Sequence, residues 1–297
     1  MARFPGCRQA GCAPYLALGV PSKRMTETSA QTRSPHFTQD ATVQTYTSIH
    51  LPRVFAPWAR ILLEVVPPRP GDAVLDVATG PGTVARHAAH LVGESGRVTG
   101  VDFSAAMLSA ARAWPGEPDA APIEYVESSA TSLPLPNAAF DVAYCQQGLQ
   151  HISDPVAALL EIRRVLKPGG LLGVAVWTQS PFGIFRQVVA DLGLADSGPQ
   201  PSTFGRDSAL LVSALRELGF QDVRVQVREL VSVLEGGIPQ GLQVAEATSG
   251  GAVMASLSAS RRQAVRDAIV HALEPHVRDG AVHLRSASNI AAARSPA

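Results

Sequence analysis

The chain has 297 residues, enough for one large α/β domain with a substrate cap or for two small domains, and we favour one domain. Its 25 basic and 25 acidic residues cancel, so no long-range field attracts a polyanion, which argues against nucleic-acid binding. No uninterrupted apolar stretch approaches the roughly 20 residues that a membrane-spanning helix needs. We therefore expect a soluble protein without a membrane span that acts on a small molecule.

The first 40 residues are predicted to be a disordered leader, because they are rich in Ser, Thr and Gln and show no hydrophobic periodicity. Residues 1–24 are open to two readings, a targeting peptide or an upstream start codon wrongly chosen. We favour the second reading, with Met25 as the start. Three cysteines cannot form a disulfide framework, which favours a reducing cytoplasm.

A helical lead-in is predicted at residues 41–70, where Phe55, Trp58 and Leu62 share a face before Pro67 and Pro68 stop the helix. Short apolar runs then alternate with amphipathic helices. The predicted strands are Ala73–Val77, Arg97–Val101, Ile123–Val126, Phe140–Cys145 and Leu171–Trp177. The helices between them are Thr83–Leu91, Ala105–Ala113 and Pro155–Leu166. This alternation predicts right-handed crossovers and a parallel sheet covered on both faces.

The chain beyond the fifth strand is less regular. A stretch at about residues 178–206 is predicted to be a substrate cap that belongs to a main domain at residues 71–235. A helix at Asp207–Leu218 and a strand at Val223–Val231 follow it. Residues 236–297 are predicted to be an extension with one helix, Ser260–Leu273, and an edge strand at His283–Leu284.

The segment Val74–Thr83 joins a buried strand to a helix through a tight glycine turn. Gly80 and Gly82 let a ligand approach the backbone, and the helix start offers unpaired N–H groups and a positive dipole end. Such a turn would serve a nicotinamide cofactor equally well. However, Asp76 directly before the turn opposes a pyrophosphate and suits a cationic amino-acid group. Asp102 ends the second strand, about twenty residues on, where a carboxylate accepts hydrogen bonds from ribose hydroxyls.

These features stand among linked markers that resemble the class I S-adenosylmethionine-dependent methyltransferases, particularly the branch similar to ubiquinone/menaquinone-biosynthesis methyltransferases. The markers are Leu75–Gly82, Gly100–Asp102, Met107–Leu108, Leu133–Pro134, Phe140–Val142 and Arg164–Gly170. The resemblance implies an α/β fold, a Rossmann-like, doubly wound, mostly parallel seven-stranded sheet with helices on both faces and a small substrate cap. It also implies S-adenosyl-L-methionine as the cofactor and methyl transfer to a small-molecule acceptor.

The resemblance also implies which residues hold the cofactor. Those expected around the methionine half and the ribose are Asp76, Ala78, Gly80 and Asp102. Phe103 and Met107 are expected at the adenine edge. The other residues expected to bind the cofactor are Thr79, Gly82, Ser129, Ala130 and Gln146. Ser129 departs from the family, in which an acidic residue commonly meets the adenine amino group, and a serine hydroxyl accepts that bond without the strength of a charge.

His151 lies just beyond the fourth strand, on the rim where the methyl acceptor rests in the family. It is the candidate general base, and a loop histidine bonded to neighbouring backbone is the alternative. His50, His87 and His90 are interpreted as ordinary helix or loop residues. The residues expected to contact the acceptor are Tyr46, Gln147, Trp177, Phe182 and Phe185. The aromatic members of this group are equally open to being core beneath the inserted segment.

Several alternatives stay open at this point. Asp76 would also suit a carboxylate that caps a loop, and Asp102 one that caps the following helix. No His, Cys and Asp cluster has the spacing of a metal site, so no metal is expected. The rival functions are an NAD(P)-dependent oxidoreductase on a similar sheet and a non-catalytic S-adenosylmethionine-binding module. A homodimer is one of the open oligomeric states.

Overall fold

The structure is a computed structural model that describes residues 46–194, 202–248, 253–254 and 256–297. The predicted leader at residues 1–40, including Met25, lies outside the described residues. So does part of the predicted cap, residues 195–201.

One sheet forms the centre of the described chain. Its strands are β1 (Ala73–Val77), β2 (Arg97–Asp102), β3 (Ile123–Glu127), β4 (Phe140–Gln146), β5 (Leu166–Gln179), β6 (Gln221–Leu234), β7 (Val277–Arg278) and β8 (Ala281–Arg294). They are ordered β3-β2-β1-β4-β5-β8-β6, with the short β7 paired to β8. Strands β1 to β5 pair in parallel, and β8 runs antiparallel to both of its long neighbours. The predicted mostly parallel sheet is confirmed, and its first four strands lie within one residue of the predicted bounds. The fifth strand begins at Leu166, five residues before the predicted start.

Helices cover the sheet. A π-helix at Tyr46–Phe55 leads into α1 (Ala56–Val65), α2 (Thr83–Val92), α3 (Ala105–Arg112), α4 (Pro155–Val165), α5 (Gly183–Asp191), α6 (Ser208–Glu217), α7 (Gly237–Glu246) and α8 (Ala259–Leu273). Short 3-10 turns lie at Leu149–His151 and Glu274–His276. Two caps explain where helices begin: the Ser104 hydroxyl accepts from the Met107 N–H, and the Asp154 carboxylate accepts from the Ala157 N–H. Each cap satisfies an N–H group that the first helical turn leaves unpaired.

Two hydrophobic clusters hold these layers together. In the first, Trp58 and Leu62 of α1 are fully buried against Val74 and Tyr144 of the sheet. The second packs α5, α7 and α8 against the ends of β6 and β8, with members such as Phe185, Leu234, Val244, Ile269 and Leu284. Burying one such large side chain stabilises the fold by about 1.5–3 kcal/mol. The lead-in and the C-terminal residues are therefore integral to the hydrophobic core.

Strand β8 differs from the prediction. The sequence predicts a short edge strand at His283–Leu284, whereas β8 has 14 residues and lies inside the sheet, between β5 and β6. Its second half, Ser286–Arg294, is rich in Ala and Ser, which have low strand propensity. Pairing on both sides satisfies its backbone, and nearly all of that half is buried. Tertiary pairing therefore overrides local preference here.

Candidate active site

The glycine turn follows β1 at the carboxyl end of the sheet. Ala78, Gly80 and Gly82 all have positive φ, at 57°, 55° and 80°. A non-glycine residue in this region is uncommon, and such strain often marks functional sites. A Cβ placed on Gly80 would meet no atom within 4 Å. The backbone of the turn is therefore open to a ligand at Gly80, as the sequence predicts.

Asp76 lies beneath this turn with a side chain that is almost fully buried. Its Oδ2 accepts from the Thr79 hydroxyl at 2.5 Å and from the Ala85 N–H at 3.0 Å. Burial raises the pKa of Asp76 from 3.8 to about 7, and these two hydrogen bonds partly oppose the shift. Asp76 thus braces the turn and the start of α2, the capping role that the sequence left open. Its direct contact with a ligand stays a prediction.

Asp102 ends β2, the strand next to β1. Its Oδ2 accepts from the Gly80 N–H at 2.8 Å, and its Oδ1 accepts from the Ser104 N–H at 2.9 Å. Burial raises the pKa of this carboxyl, and the backbone hydrogen bonds lower it. The Asp102 carboxylate therefore links the end of β2 to Gly80, the residue of the glycine turn with open space around it. The sequence predicts this proximity.

The predicted adenine edge lies where β2 and β3 end side by side. The Ser128 N–H donates to the Asp102 carbonyl at 3.0 Å and joins the two loops. Phe103 is half-buried, and Met107 is buried in the first turn of α3. The Ser129 hydroxyl accepts from the Thr131 N–H and lies 2.8 Å from the Thr131 hydroxyl, while Ala130 between them is half-buried. These residues occupy adjacent loops, and their contact with adenine stays a prediction.

Two glutamines end β4. The Gln146 amide donates to the Phe55 carbonyl at 3.0 Å, and the Gln147 amide lies 3.3 Å from the Ser288 hydroxyl. Gln147 has a φ of 47°, which gives a second left-handed non-glycine residue at a strand end. The next residue is Gly148, where a Cβ would lie 2.7 Å from the Ala78 Cβ. The turns after β1 and β4 therefore pack against each other.

An aromatic cluster lies beside these glutamines, and we define it as His50, Phe55, Trp58, Trp177 and Phe182. Trp177 is edge-on to Trp58 at 5.4 Å between ring centroids, and edge-on to Phe55 at 6.4 Å. Phe182 lies 6.2 Å from Phe55 and 5.0 Å from His50. Edge-on aromatic pairs at such distances are favourable. The cluster brings Trp177 and Phe182 together, with Trp177 buried in the first hydrophobic cluster. Their contact with an acceptor stays a prediction.

One predicted acceptor residue lies in a different cluster, and another has a side chain that the structure does not describe. Phe185 is 1% exposed and belongs to the second hydrophobic cluster, so it takes the core role that the sequence analysis offered as an alternative. Tyr46 begins the π-helix, and its side chain lies outside the described residues.

Sequence reasoning missed several residues of this region. His50, interpreted as ordinary, is buried against Phe182. Ser286 and Ser288 of β8 are buried on one strand face, where the Trp58 indole N–H donates to the Ser286 hydroxyl at 3.2 Å. The sequence signal for this buried strand face was the alternation of Ser286, Ser288 and Ile290, because residues two apart share a strand face.

His151 ends the 3-10 turn after β4, at the predicted rim. Its backbone N–H donates to the Gly148 carbonyl at 2.8 Å, and its Nε2 lies 3.4 Å from the Gln150 Nε2. The side chain is solvent-accessible, yet the protein around it lowers its pKa to about 4 through desolvation, and Arg186 adds to the shift. The imidazole is therefore neutral at pH 7, the form that can accept a proton. Its catalytic role stays a prediction.

Within residues 46–194, 202–248, 253–254 and 256–297, no group of three or more His, Cys, Asp or Glu side chains is arranged to hold a metal ion. No helix in the same ranges combines the length and the apolar character that crossing a membrane requires.

Residues 75–174 match the model of the methyltransferase domain family. This stretch of the chain is similar to methyltransferase domains. The resemblance drawn from the sequence markers is thereby confirmed. The match ends in β5, so all five residues of the aromatic cluster lie outside it.

A ubiquinone/menaquinone biosynthesis C-methyltransferase of Shewanella sp. (strain ANA-3) is 37% identical to the chain over 132 residues. That alignment covers 44% of this chain and 53% of the relative. The chain thus spans about half the length of the curated relatives that it matches.

Two solved structures are similar in fold. Phosphoethanolamine N-methyltransferase 2 of Haemonchus contortus, in complex with phosphomonomethylethanolamine and S-adenosylhomocysteine, has a TM-score of 0.56 at 20% identity. The likeness covers 87% of this chain and 58% of that one. The cyclase SpnF has a TM-score of 0.51 at 23% identity, over 81% of each chain. At these identities the likeness shows the fold of the methyltransferase domain and nothing finer.

Proposed function

We propose that the protein transfers a methyl group from S-adenosyl-L-methionine to a small-molecule acceptor and releases S-adenosylhomocysteine. The observation that carries the proposal is the open glycine turn braced by Asp76 and Asp102, inside a segment that matches the methyltransferase family. The names of the relatives support methyl transfer as the reaction but differ in the acceptor, since one is a C-methyltransferase and another an N-methyltransferase. The atom that is methylated is therefore left open.

The residues present fit this cofactor. The Asp102 carboxylate has about four lone-pair sites, and backbone N–H groups of Gly80, Phe103 and Ser104 use three of them. One site is left for a ribose hydroxyl. The open space at Gly80 and the nearby carboxylates suit the amino-acid end of the cofactor, because an ammonium group is attracted there and a pyrophosphate is repelled. Phe103, Met107, Ser129 and Ala130 would then face the adenine.

When bound, the cofactor supplies a methyl group on a positively charged sulfonium. The task of the chain is to align the acceptor and to exclude water, since alignment in a dry site gives most of the rate enhancement. Phe182, which is only partly buried, offers apolar ring surface for the acceptor, and the amide oxygens of Gln146 and Gln147 offer hydrogen-bond acceptors. His151 is neutral and is proposed to accept a proton when the acceptor is a hydroxyl or an acidic carbon.

The proposal includes a cytoplasmic location, supported by a count of three cysteines in the sequence, which is too few for a disulfide framework. It includes residues 71–235 as the methyltransferase domain and residues 178–206 as its cap. The oligomeric state, a homodimer included, is measured by light scattering coupled to gel filtration.

The test has two stages. Calorimetric titration with S-adenosylhomocysteine, compared with NAD, should give saturable binding for the first ligand alone. Incubation with methyl-labelled cofactor and a metabolite extract should then transfer label to one small molecule. Binding of NAD instead would favour an oxidoreductase. Binding of S-adenosylhomocysteine without turnover on any acceptor would favour a non-catalytic module.

A further inference from the structure

Arg86 of α2 turns its side chain back to the glycine turn. Its Nη1 donates to the Pro81 carbonyl oxygen at 2.5 Å, between the two glycines of the turn. Its guanidinium carbon lies 4.4 Å from the centroid of the Trp114 ring, within the range of a cation–π contact. The guanidinium is therefore held on one side by the turn and on the other by an aromatic face.

Tyr125 of β3 places its hydroxyl behind the same turn. A Cβ on Gly82 would overlap the Tyr125 Oη and would lie 3.2 Å from the Arg86 Nη1. The phenol is also hydrogen-bonded to the Arg86 side chain. Gly82 has a φ of 80°, so the left-handed turn is formed directly against this tyrosine–arginine pair. The pair therefore occupies the space that a side chain at position 82 would need.

Arg86 also acts on the carboxylate beneath the turn. The charged groups that act on the Asp76 carboxyl are Asp102, which raises its pKa, and Arg86, which lowers it. The Tyr125 phenol, the Tyr144 phenol and the Cys145 thiol also feel the Asp76 charge, and the pKa of each is raised mainly by burial, so all three are neutral near pH 7. Arg86 therefore favours the ionised form of Asp76 against the effect of burial.

We infer that Arg86 is a positioning residue for the cofactor. Together with Tyr125, it holds the Gly80–Gly82 turn in the conformation that presents its backbone to S-adenosylmethionine. This inference rests on the proposed function. It states that the affinity for the cofactor depends on a side chain that lies behind the glycine turn.

The experiment compares Arg86→Gln with a matched control, Arg112→Gln. Arg112 lines the same groove of about 380 Å³ but donates to the Tyr125 carbonyl at 2.7 Å and not to the turn. Calorimetric titration with S-adenosylhomocysteine should give an affinity about tenfold weaker for Arg86→Gln, the loss expected for one hydrogen bond from a charged group. The affinity of Arg112→Gln should stay within about twofold of the unmodified protein.

The pH dependence separates positioning from general destabilisation. In the unmodified protein, affinity should fall as the pH drops through the pKa of Asp76, about 7. In Arg86→Gln the midpoint should move to higher pH, because the cation that favours ionised Asp76 is gone. Arg86→Lys should keep the original midpoint and lose affinity, because an ammonium retains the charge without the planar fork.

Each outcome bears on a different claim. If the unmodified protein does not bind S-adenosylhomocysteine, the proposed function itself fails. If it binds and Arg86→Gln shows the same dissociation constant and the same midpoint, the function stands and the positioning role is wrong. If circular dichroism shows that Arg86→Gln does not fold, Arg86→Lys and Tyr125→Phe decide, and unchanged affinity in both overturns the inference.

Discussion

The two halves of the candidate site are assembled in different ways. The cofactor half comes from one continuous stretch, in which Asp76 and Asp102 end adjacent parallel strands. The acceptor half brings distant segments together, and the Trp58–Ser286 hydrogen bond joins residues 228 positions apart. A sequence motif can therefore encode the first half, whereas the second exists only after the sheet has formed. Changes in one half should leave the other intact, and the following predictions test that separation.

The largest expected effect concerns Asp76→Asn. The pKa of Asp76 is raised from 3.8 to about 7, so the folded protein holds a proton that the unfolded chain releases. The free energy of unfolding should therefore fall as the pH rises from about 4 to about 7, by up to about 4 kcal/mol. Asp76→Asn should remove that part of the pH dependence. Urea titrations at several pH values measure it, and parallel curves for the two proteins would contradict the prediction.

Gly82→Ala should destabilise the fold by about 3 kcal/mol, because a Cβ in the left-handed region would also overlap Tyr125. Gly80→Ala is the matched control, since its Cβ meets open space and adds about 1–2 kcal/mol of backbone strain alone. Chemical denaturation compares the two. Equal losses of stability in the two variants would show that overlap with Tyr125 adds nothing to the cost of Gly82→Ala.

On the acceptor side, His151→Ala should lower kcat about 100-fold if the imidazole accepts a proton in the reaction. Because its pKa is about 4, the imidazole stays neutral from pH 6 to 8, and its ionisation should leave kcat flat over that range. Turnover with an identified acceptor measures both. Exposed His90 provides the control, as His90→Ala should leave turnover unchanged, and an unaffected rate in His151→Ala would reduce that histidine to scaffolding.

Phe182→Leu should raise the KM for the acceptor about fivefold and leave the affinity for S-adenosylhomocysteine unchanged, since it removes aromatic contacts in the cluster. Phe185→Leu should lower stability without this change in KM, because Phe185 lies in the second hydrophobic cluster. Steady-state kinetics and thermal denaturation distinguish the two. A weaker cofactor affinity in Phe182→Leu would contradict the prediction that a change in the acceptor half leaves the cofactor half intact.

The smallest expected effect is a gain. Ser129→Asp should tighten cofactor binding about threefold, because a carboxylate accepts a stronger hydrogen bond from the adenine amino group than a hydroxyl does. Calorimetric titration with S-adenosylhomocysteine measures the change. Unchanged or weaker binding would show that Ser129 does not face the adenine.

The sequence places Asp76 and Asp102 near the ends of β1 and β2 for a physical reason. A strand, a glycine turn and a helix in succession fix their own geometry, so Asp76 and Asp102 can be placed from spacing alone. In the proposed acceptor half, the sequence places Trp177 in the fifth strand and Phe182 just after it, whereas Phe185 and His50 take places that depend on packing. Strand β8 was missed because an Ala- and Ser-rich run has little strand preference until two neighbours pair with it.

The position of β8 also sets the order of assembly during synthesis. Strands β5 and β6 both leave the ribosome before the strand that joins them, so each has an open edge until β8 arrives. An unpaired 14-residue edge such as that of β6 is a template for wrong pairing with another nascent chain. The yield of folded protein in a cell should therefore depend on the time between the synthesis of β6 and the synthesis of β8. Chaperones that shield strand edges should raise this yield most during that interval.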